Sequence, residues 1–260
     1  MLISIIVPTK NEEDNIRKVL DSLVIQEKPI EIIVIDAEST DQTQEIVKEY
    51  CKKYPFVKLF SKKGKRGKSM NYAIKMAKGD VVSFIGADDK AHKEWIKYNR
   101  KGFSEGHDIV VGKCESIGNK KFELDRVKLF YKGFDISVPG TNTAYKREIL
   151  LELNGFDPNF VTAEDIELNL RAVDSGYKIY YQDKAVVYRC LRENMIDFLS
   201  QSFWNGYGRK QLTLKHGKLW KNYSAQQTFK TQFTLYGIIR LSFGLLGYIV
   251  SKIQKGIPKN

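Results

Sequence analysis

Along the first ninety residues, short apolar runs alternate with segments whose apolar positions recur at helical spacing. Residues 3–7 are apolar, largely β-branched and closed by Pro8, which predicts a strand. From 15 to 24 the apolar positions are Ile16, Val19, Leu20, Leu23 and Val24, the stripe of an amphipathic helix. Residues 31–35 (EIIVI) predict a second, buried strand. Ser39 or Thr40 is then expected to cap a helix over 42–54. A strand over 57–60, a helix over 69–77 stopped at Gly79, and a strand over 81–85 complete the run. Such alternation builds a mainly parallel α/β sheet covered by helices on both faces. Ligands bind such sheets at the carboxyl ends of the strands, near a switch in strand order. The polar residues obey this rule: Thr9, Lys10 and Asn11 follow the first strand, Asp36, Glu38, Ser39 and Asp41 the second, and Asp88 and Asp89 the fourth.

The pattern loosens over 103–190. Strands are predicted at 109–111 and 186–188, and a helix over 164–175 stopped by Gly176. Beyond 190 the character changes again. The stretch FLSQSFWNGYGRKQL leads through a polar, basic connection into residues 233–253, an apolar segment with one charge near its centre, Arg240, and Lys252 near its end.

Charge sharpens that division. The net charge is +12, yet from Leu199 to Asn260 there are ten Lys/Arg and no Asp or Glu. A basic segment serves either nucleic acid or an anionic bilayer. Here the basic residues alternate with long apolar runs rather than polar ones, which disfavours nucleic acid. Residues 233–253 have the length of a short membrane span. Arg240 at the centre costs an isolated span roughly 2.5–3.5 kcal/mol, which favours a helix lying at the interface. Lys230, Lys252, Lys255 and Lys259 would sit at headgroup level, and Phe198, Phe203, Trp204, Tyr207, Trp220 and Tyr223 also suit a membrane interface. The same helices could instead pack on the core or carry a homo-oligomer contact. The three cysteines, Cys51, Cys114 and Cys190, are isolated, so neither a zinc site nor a disulfide framework is suggested. The first apolar run starts at once and is too short for a secretory h-region, so the catalytic part is expected in the cytosol.

Each polar group taken alone has two readings. Asp88–Asp89 after a strand suit a divalent cation, or an ordinary turn or helix cap. Asp36 with its neighbours could hold a base or ribose, or simply shape a turn. KKGKRGKS, residues 62–69, could cradle phosphate with backbone amides, or be a basic surface turn; its spacing is not that of a Walker loop. Glu164–Asp165 could supply a general base, or complement a helix dipole.

The ordered set is more specific than any member: SIIVPTKNEE, then IVIDAESTDQT, then GKxxNxAIxxAKGDVVSFIGADD, then NGFDPNFVTAEDIELNLRA. This order and spacing resemble the inverting family 2 glycosyltransferases, which have the GT-A fold, over residues 1–190. Residues 191–260 would be a helical, membrane-associating extension. The resemblance implies sugar transfer from a UDP- or GDP-linked donor, with UDP favoured. It places Pro8, Thr9 and Glu12 at the base and ribose, Asp36 at the base, and Arg66 and Lys68 near the nucleotide. It makes Asp88 a metal ligand, with Asp89 beside it, and Asp165, next to Glu164, the base. Two positions depart from the family pattern. Gly86 stands where the first Asp of Asp-x-Asp is expected, and Arg189 where a His often follows the last strand. Mg²⁺ or Mn²⁺ is the implied cofactor, with turnover supported by Arg189 and Lys90 as the metal-free alternative. Membrane placement points to a lipid-linked or glycan acceptor on the cytoplasmic side of the membrane, reached by a peripheral or singly spanning chain. Two other classes stay open: a sugar-phosphate nucleotidyltransferase, which would carry a Gly-rich signature that PTKNEE lacks, and a non-catalytic nucleotide-sugar-binding protein.

Overall fold

Alternation along β1 (Ile3–Thr9) shows why the chain makes a two-faced sheet. Ile3, Ile5 and Val7 point to one side, where α1 (Ile16–Val24) and α2 (Thr43–Lys53) supply Ile16, Leu20, Leu23, Val47 and Tyr50. Ile6 points to the other side, with Ile33 and Ile35 of β2 (Ile30–Asp36), and meets Met70, Ala73 and Ile74 of α3 (Arg66–Met76). A strand buried on both faces has no room for alternating polar residues. Its exception, Ser4, donates to Glu31 at 2.6 Å and accepts from the Gly79 amide at 2.8 Å. The computed structural model describes residues 1–118, 123–191, 194–217 and 219–254.

β3 (Val57–Ser61) and β4 (Val81–Phe84) complete a parallel half in the order β3-β2-β1-β4. The chain moves outward from β1 to β3, then returns to the far side of β1 for β4. The switch in strand order therefore lies between β1 and β4, where a binding crevice forms. The second half is mixed. It uses β5 (Asp89–Ala91), α4 (Trp95–Ser104), β6 (Ile109–Ile117), β9 (Thr143–Lys146), α5 (Arg147–Glu152), α6 (Glu164–Asp174) and β10 (Ile179–Cys190), with a small hairpin of β7 (Phe130–Tyr131) and β8 (Phe134–Asp135). β9 is antiparallel to both β4 and β6, while β10 runs parallel to β6 and antiparallel to β5. The eight-stranded order is β3-β2-β1-β4-β9-β6-β10-β5. It is a mixed, mainly parallel α/β sheet flanked by helices.

Three local expectations are corrected. The helix predicted over 69–77 begins three residues earlier, at Arg66, so half of the basic loop is the helix's first turn. Neither Ser39 nor Thr40 caps α2; Ser39 turns back to Asp36, and Asp41 accepts from the Thr43 amide at 3.1 Å. The two short strands of the middle region are parts of long ones, because β6 and β10 pair along nine positions through a bulge at Gln182–Val186. The helix over 164–175 and its stop are as expected: Gly176 has φ +94°, and its amide and that of Tyr177 close the last turn.

After β10, α7 (Met195–His216) packs on α6. Leu212 joins Phe160, Ile166 and Leu170 in a third apolar cluster. The Lys215 ammonium reaches the fully buried Glu167 carboxylate at 2.6 Å, and Arg171 holds the same group at 2.8 Å. α8 (Ala225–Gln232) and α9 (Leu235–Gln254) follow. α9 is long and apolar enough to cross a membrane, judged by length and composition. Lys255 and Lys259 lie outside the described residues, as does the side chain of Trp220.

Candidate active site

The crevice at the carboxyl ends of β1 and β4 widens into one open cavity of about 2320 Å³. Asp88, Arg66, Glu164, Asp165 and Arg189 all line it. These side chains come from four separate places: the turn after β4, the first turn of α3, the start of α6 and the end of β10. The fold therefore unites residues as far apart in sequence as Arg66 and Arg189.

The two adjacent carboxylates of the turn after β4 have different environments. Asp88 is exposed to the cavity. Asp89 opens β5 and is 4% exposed. Its Oδ2 accepts from the Thr141 hydroxyl at 2.5 Å and from the Gly86 amide at 3.2 Å. Its Oδ1 faces the Arg189 guanidinium at 3.8 Å, across the β5–β10 register. Burial pushes the Asp89 carboxyl above its usual range, against the hydrogen bond from Thr141; the Asp88 charge adds to the rise and Arg189 opposes it. Gly86 has a spatial reason. A Cβ there would lie 2.8 Å from both an Asp88 and an Asp89 oxygen.

α6 begins with strain. Ala163, at the position before the helix, has φ +62°, a region an L-residue enters at a cost of roughly 1–2 kcal/mol. The turn aims the next two carboxylates differently. Glu164 is buried, with Arg66 Nε 3.5 Å from its Oε1. Desolvation raises its pKa; Arg66 counteracts this and Asp165 adds to it. Asp165 is half-buried, and its Oδ2 accepts from the Gly140 amide at 2.8 Å while its Oδ1 accepts from the Ile166 amide at 2.8 Å. Two amides thus fix its rotamer while it lines the cavity. Gly140 lets the chain approach, since a Cβ there would sit 3.2 Å from that of Asp165.

The remaining predicted residues lie on the rim of the sheet, outside the cavity lining. Asp36 is fully buried at the end of β2, and its oxygens accept from the Ser39 amide and hydroxyl and from Gln44. It shapes the turn after β2. Thr9 is buried, and Pro8 and Glu12 are half-buried beside it. Burial raises the Glu12 carboxyl, with Asn15 opposing. Lys68 is exposed on α3.

Sequence reasoning passed over the segment that ties these pieces together. In Gly140–Thr141–Asn142, Gly140 holds Asp165 and Thr141 holds Asp89. Asn142, at φ +60°, accepts from the Trp95 indole at 2.7 Å and donates to the Lys113 and Ala185 carbonyls. The run PGTN was a turn signal, but nothing in it named its partners. Glu167 was also read only as part of a helix.

The family model described as Glycosyl transferase family 2 matches residues 4–162, more than half of the chain. The chain belongs to glycosyl transferase family 2. It carries that family's glycosyltransferase domain, in the GT-A fold. It is 38% identical to a poly(ribitol-phosphate) beta-glucosyltransferase of Bacillus spizizenii over 70% of its length, and 33% identical to the probable glycosyltransferase YdaM of Bacillus subtilis over 72%. It spans 32% and 50% of those two relatives. Among solved structures, Staphylococcus aureus TarS 1–349 in complex with UDP-GlcNAc matches with a TM-score of 0.63 at 21% identity, covering 100% of this chain and 93% of that one. The mannosyltransferase PcManGT of Pyrobaculum calidifontis, in complex with GDP-Man and Mn²⁺, matches with a TM-score of 0.65 at 18% identity over 96% of this chain and 75% of that one. The first of these neighbours holds UDP-GlcNAc, and the second holds GDP-Man with Mn²⁺.

Proposed function

We propose that the chain transfers a sugar from a nucleoside diphosphate sugar, UDP-linked rather than GDP-linked, to a lipid-linked or glycan acceptor at the cytoplasmic face of a membrane, with inversion at the anomeric carbon. The observation that carries this reading is the convergence of Asp165, Glu164, Asp88, Arg66 and Arg189 on one cavity at the strand-order switch. Carboxylates and guanidinium groups that line one cavity suit proton removal from an acceptor and charge stabilisation on a departing diphosphate.

In this mechanism Asp165 accepts the proton of the acceptor hydroxyl as its oxygen attacks the anomeric carbon. The bond from that carbon to the diphosphate oxygen breaks, and its electron pair leaves with the nucleoside diphosphate. Arg189 and Arg66 receive the developing negative charge, since a guanidinium binds phosphate oxygens bidentately. Glu164 positions Arg66. Lys68, Pro8, Thr9 and Glu12 bind the nucleotide on the rim, and Asp36 keeps the turn beside the base in shape. The UDP preference is supported by the UDP-GlcNAc complex of the TarS neighbour.

A divalent cation fits this site in one form only. Among the described residues no group of three or more His, Cys, Asp or Glu side chains converges, and Asp89 is committed to Thr141 and Arg189. Asp88 is the residue that would hold a Mg²⁺ or Mn²⁺ ion here, since Mg²⁺ needs only one or two protein carboxylates when a nucleotide is bound. When bound, the ion would neutralise the leaving group.

The test is a screen of UDP- and GDP-sugars for binding by thermal shift and for hydrolysis, with Asp88→Ala and Asp165→Ala as controls. UDP-sugars should bind to the wild type and to Asp165→Ala, and turnover should fall in both variants. Failure of every nucleotide sugar to bind would sink the proposal.

A further inference from the structure

α9 is built inside out. A helix on a soluble protein turns its apolar stripe to the core and its polar residues to water. In α9 the large apolar residues Leu235, Ile238, Leu241, Leu245, Leu246 and Ile249 are 44–72% exposed. The face turned inward carries Gly237, Arg240, Gly244, Gly247 and Ser251 instead. The glycines there are required by contact. A Cβ on Gly247 would lie 1.9 Å from the Phe203 carbonyl, and one on Gly206 would lie 1.7 Å from the Gly244 carbonyl. The backbones of α7 and α9 therefore touch at these glycines, while the six leucines and isoleucines face outward. Phe229 and Phe233, 67% and 69% exposed and 4.5 Å apart, continue the outward face from α8.

The partner of this face is identified by charge. No acidic residue occurs from Leu199 to Asn260, against ten basic ones. Lys252 is exposed beside Ile253, and Lys230 lies between the two phenylalanines. A second copy would bring the same positive charge to the same face. An anionic lipid surface supplies the opposite sign and a hydrocarbon layer together.

The orientation follows from what α9 is attached to. α7 runs beside it from the Phe198–Tyr236 contact to the point where Lys210 Nζ lies 4.8 Å from the Tyr248 ring. In that stretch α7 carries Gln201, Asn205, Arg209 and Lys210. Its other side is locked on the catalytic domain: a Cβ on Gly208 would meet that of Ala163 at 2.9 Å, and Lys215 reaches Glu167. If α9 crossed a bilayer, these polar groups and the start of α6 would be drawn into hydrocarbon with it.

We propose that α9, with Phe229 and Phe233, lies in the plane of an anionic bilayer surface and does not span it. This rests on the transferase reading for its consequence. Leu241, Leu245, Phe229 and Phe233 also line the cavity that holds Asp165, so the mouth of the catalytic cavity lies at the hydrocarbon boundary.

Flotation of the full chain with phosphatidylcholine vesicles, alone or with one quarter phosphatidylglycerol, tests the docking. At least tenfold more protein should float with the anionic vesicles. The variant Ile238→Lys/Leu246→Lys/Ile249→Lys changes only outward residues away from the cavity. It should lose flotation at least tenfold while keeping UDP binding and melting temperature. Single cysteines placed at Leu235 or Ile253, in a Cys51→Ser/Cys114→Ser/Cys190→Ser background, test the orientation with a membrane-impermeant maleimide added outside sealed vesicles. Labelling of both ends supports the in-plane helix, and labelling of one end alone overturns it. Absence of flotation also overturns it, and retained UDP binding then leaves the transferase reading standing. A dimer in solution that the triple variant abolishes would assign the face to a second copy and overturn the proposal.

Discussion

Restoring the missing carboxylate at Gly86 tests how the acidic corner is built. The position looks like a simple vacancy in sequence, but the space is taken. A Cβ would press on Asp88 Oδ1 and Asp89 Oδ2, both at 2.8 Å, and on Asp89 Cγ at 3.3 Å. Asp88 is exposed and can swing away. Asp89 cannot move without loosening its bonds to Thr141 and the Gly86 amide. Gly86→Ala should therefore cost about 1.5–3 kcal/mol, the worth of a hydrogen bond to a charged group. Gly86→Asp adds a third negative charge about 4 Å from a buried one, roughly 4 kcal/mol at an effective dielectric of 20. Part of that is relieved by a raised pKa, so a total loss of about 3–5 kcal/mol is expected. For a chain of this size 3 kcal/mol lowers the melting temperature by roughly 6–12 °C. Thermal unfolding in EDTA and in millimolar Mn²⁺ reads the effect. The Asp variant should melt below the Ala variant in EDTA and recover in Mn²⁺, because a cation neutralises the crowded carboxylates. Equal melting of wild type and Gly86→Asp in EDTA would refute the reasoning.

Further outcomes are expected. Asp165→Asn keeps an oxygen to accept from a neighbouring amide but removes the proton acceptor, so transfer should drop about 10²–10⁴-fold with nucleotide-sugar binding unchanged; single-turnover kinetics beside calorimetry would separate the two. Glu164 has a raised pKa in the folded state, so the native protein binds its proton more tightly than the unfolded chain. It therefore destabilises the fold as pH rises from the unfolded value near 4.5 through the raised folded value. Glu164→Gln should flatten that decline and melt higher than wild type at pH 7, with lower activity; an unchanged pH–stability slope would argue against it. Glu167→Ala leaves Arg171 and Lys215 without their buried counter-charge. A cost of about 3–5 kcal/mol is expected in urea unfolding, accompanied by loosening of α7, which limited proteolysis would report.

The parallel half of the fold was legible because each element there is long, apolar and separately periodic. Strand residues such as Ile3, Ile5 and Val7 need only be buried to be read. The mixed half was not, because β9 and the continuation of β6 beyond Val111 are recognised by pairing across the sheet and not by their own pattern. The position of Asp88 and Asp89 after a strand, and of Glu164 and Asp165 at the start of a helix, was legible. Their inequality was not: Asp88 and Asp89 are adjacent in sequence, and only Thr141, fifty-two positions away, decides which of them is buried. The boundary of α3 was missed for a related reason. Lysine, arginine and glycine at 64–68 look like a loop, yet Gly67 is packed against Phe156 and Asp157 and the helix starts there. The C-terminal helices were legible as apolar and basic. That α9 turns its glycines inward and its leucines outward follows from its contacts with α7, which local spacing does not contain.

The most direct measurement of the central claim is the anomeric configuration of the sugar released or transferred from an α-linked UDP-sugar, followed by proton NMR before mutarotation. Direct displacement, with Asp165 as the base, predicts that the β-anomer appears first and that Asp165→Asn slows its appearance. Initial release of the α-anomer, or a rate indifferent to Asp165→Asn, would contradict the account.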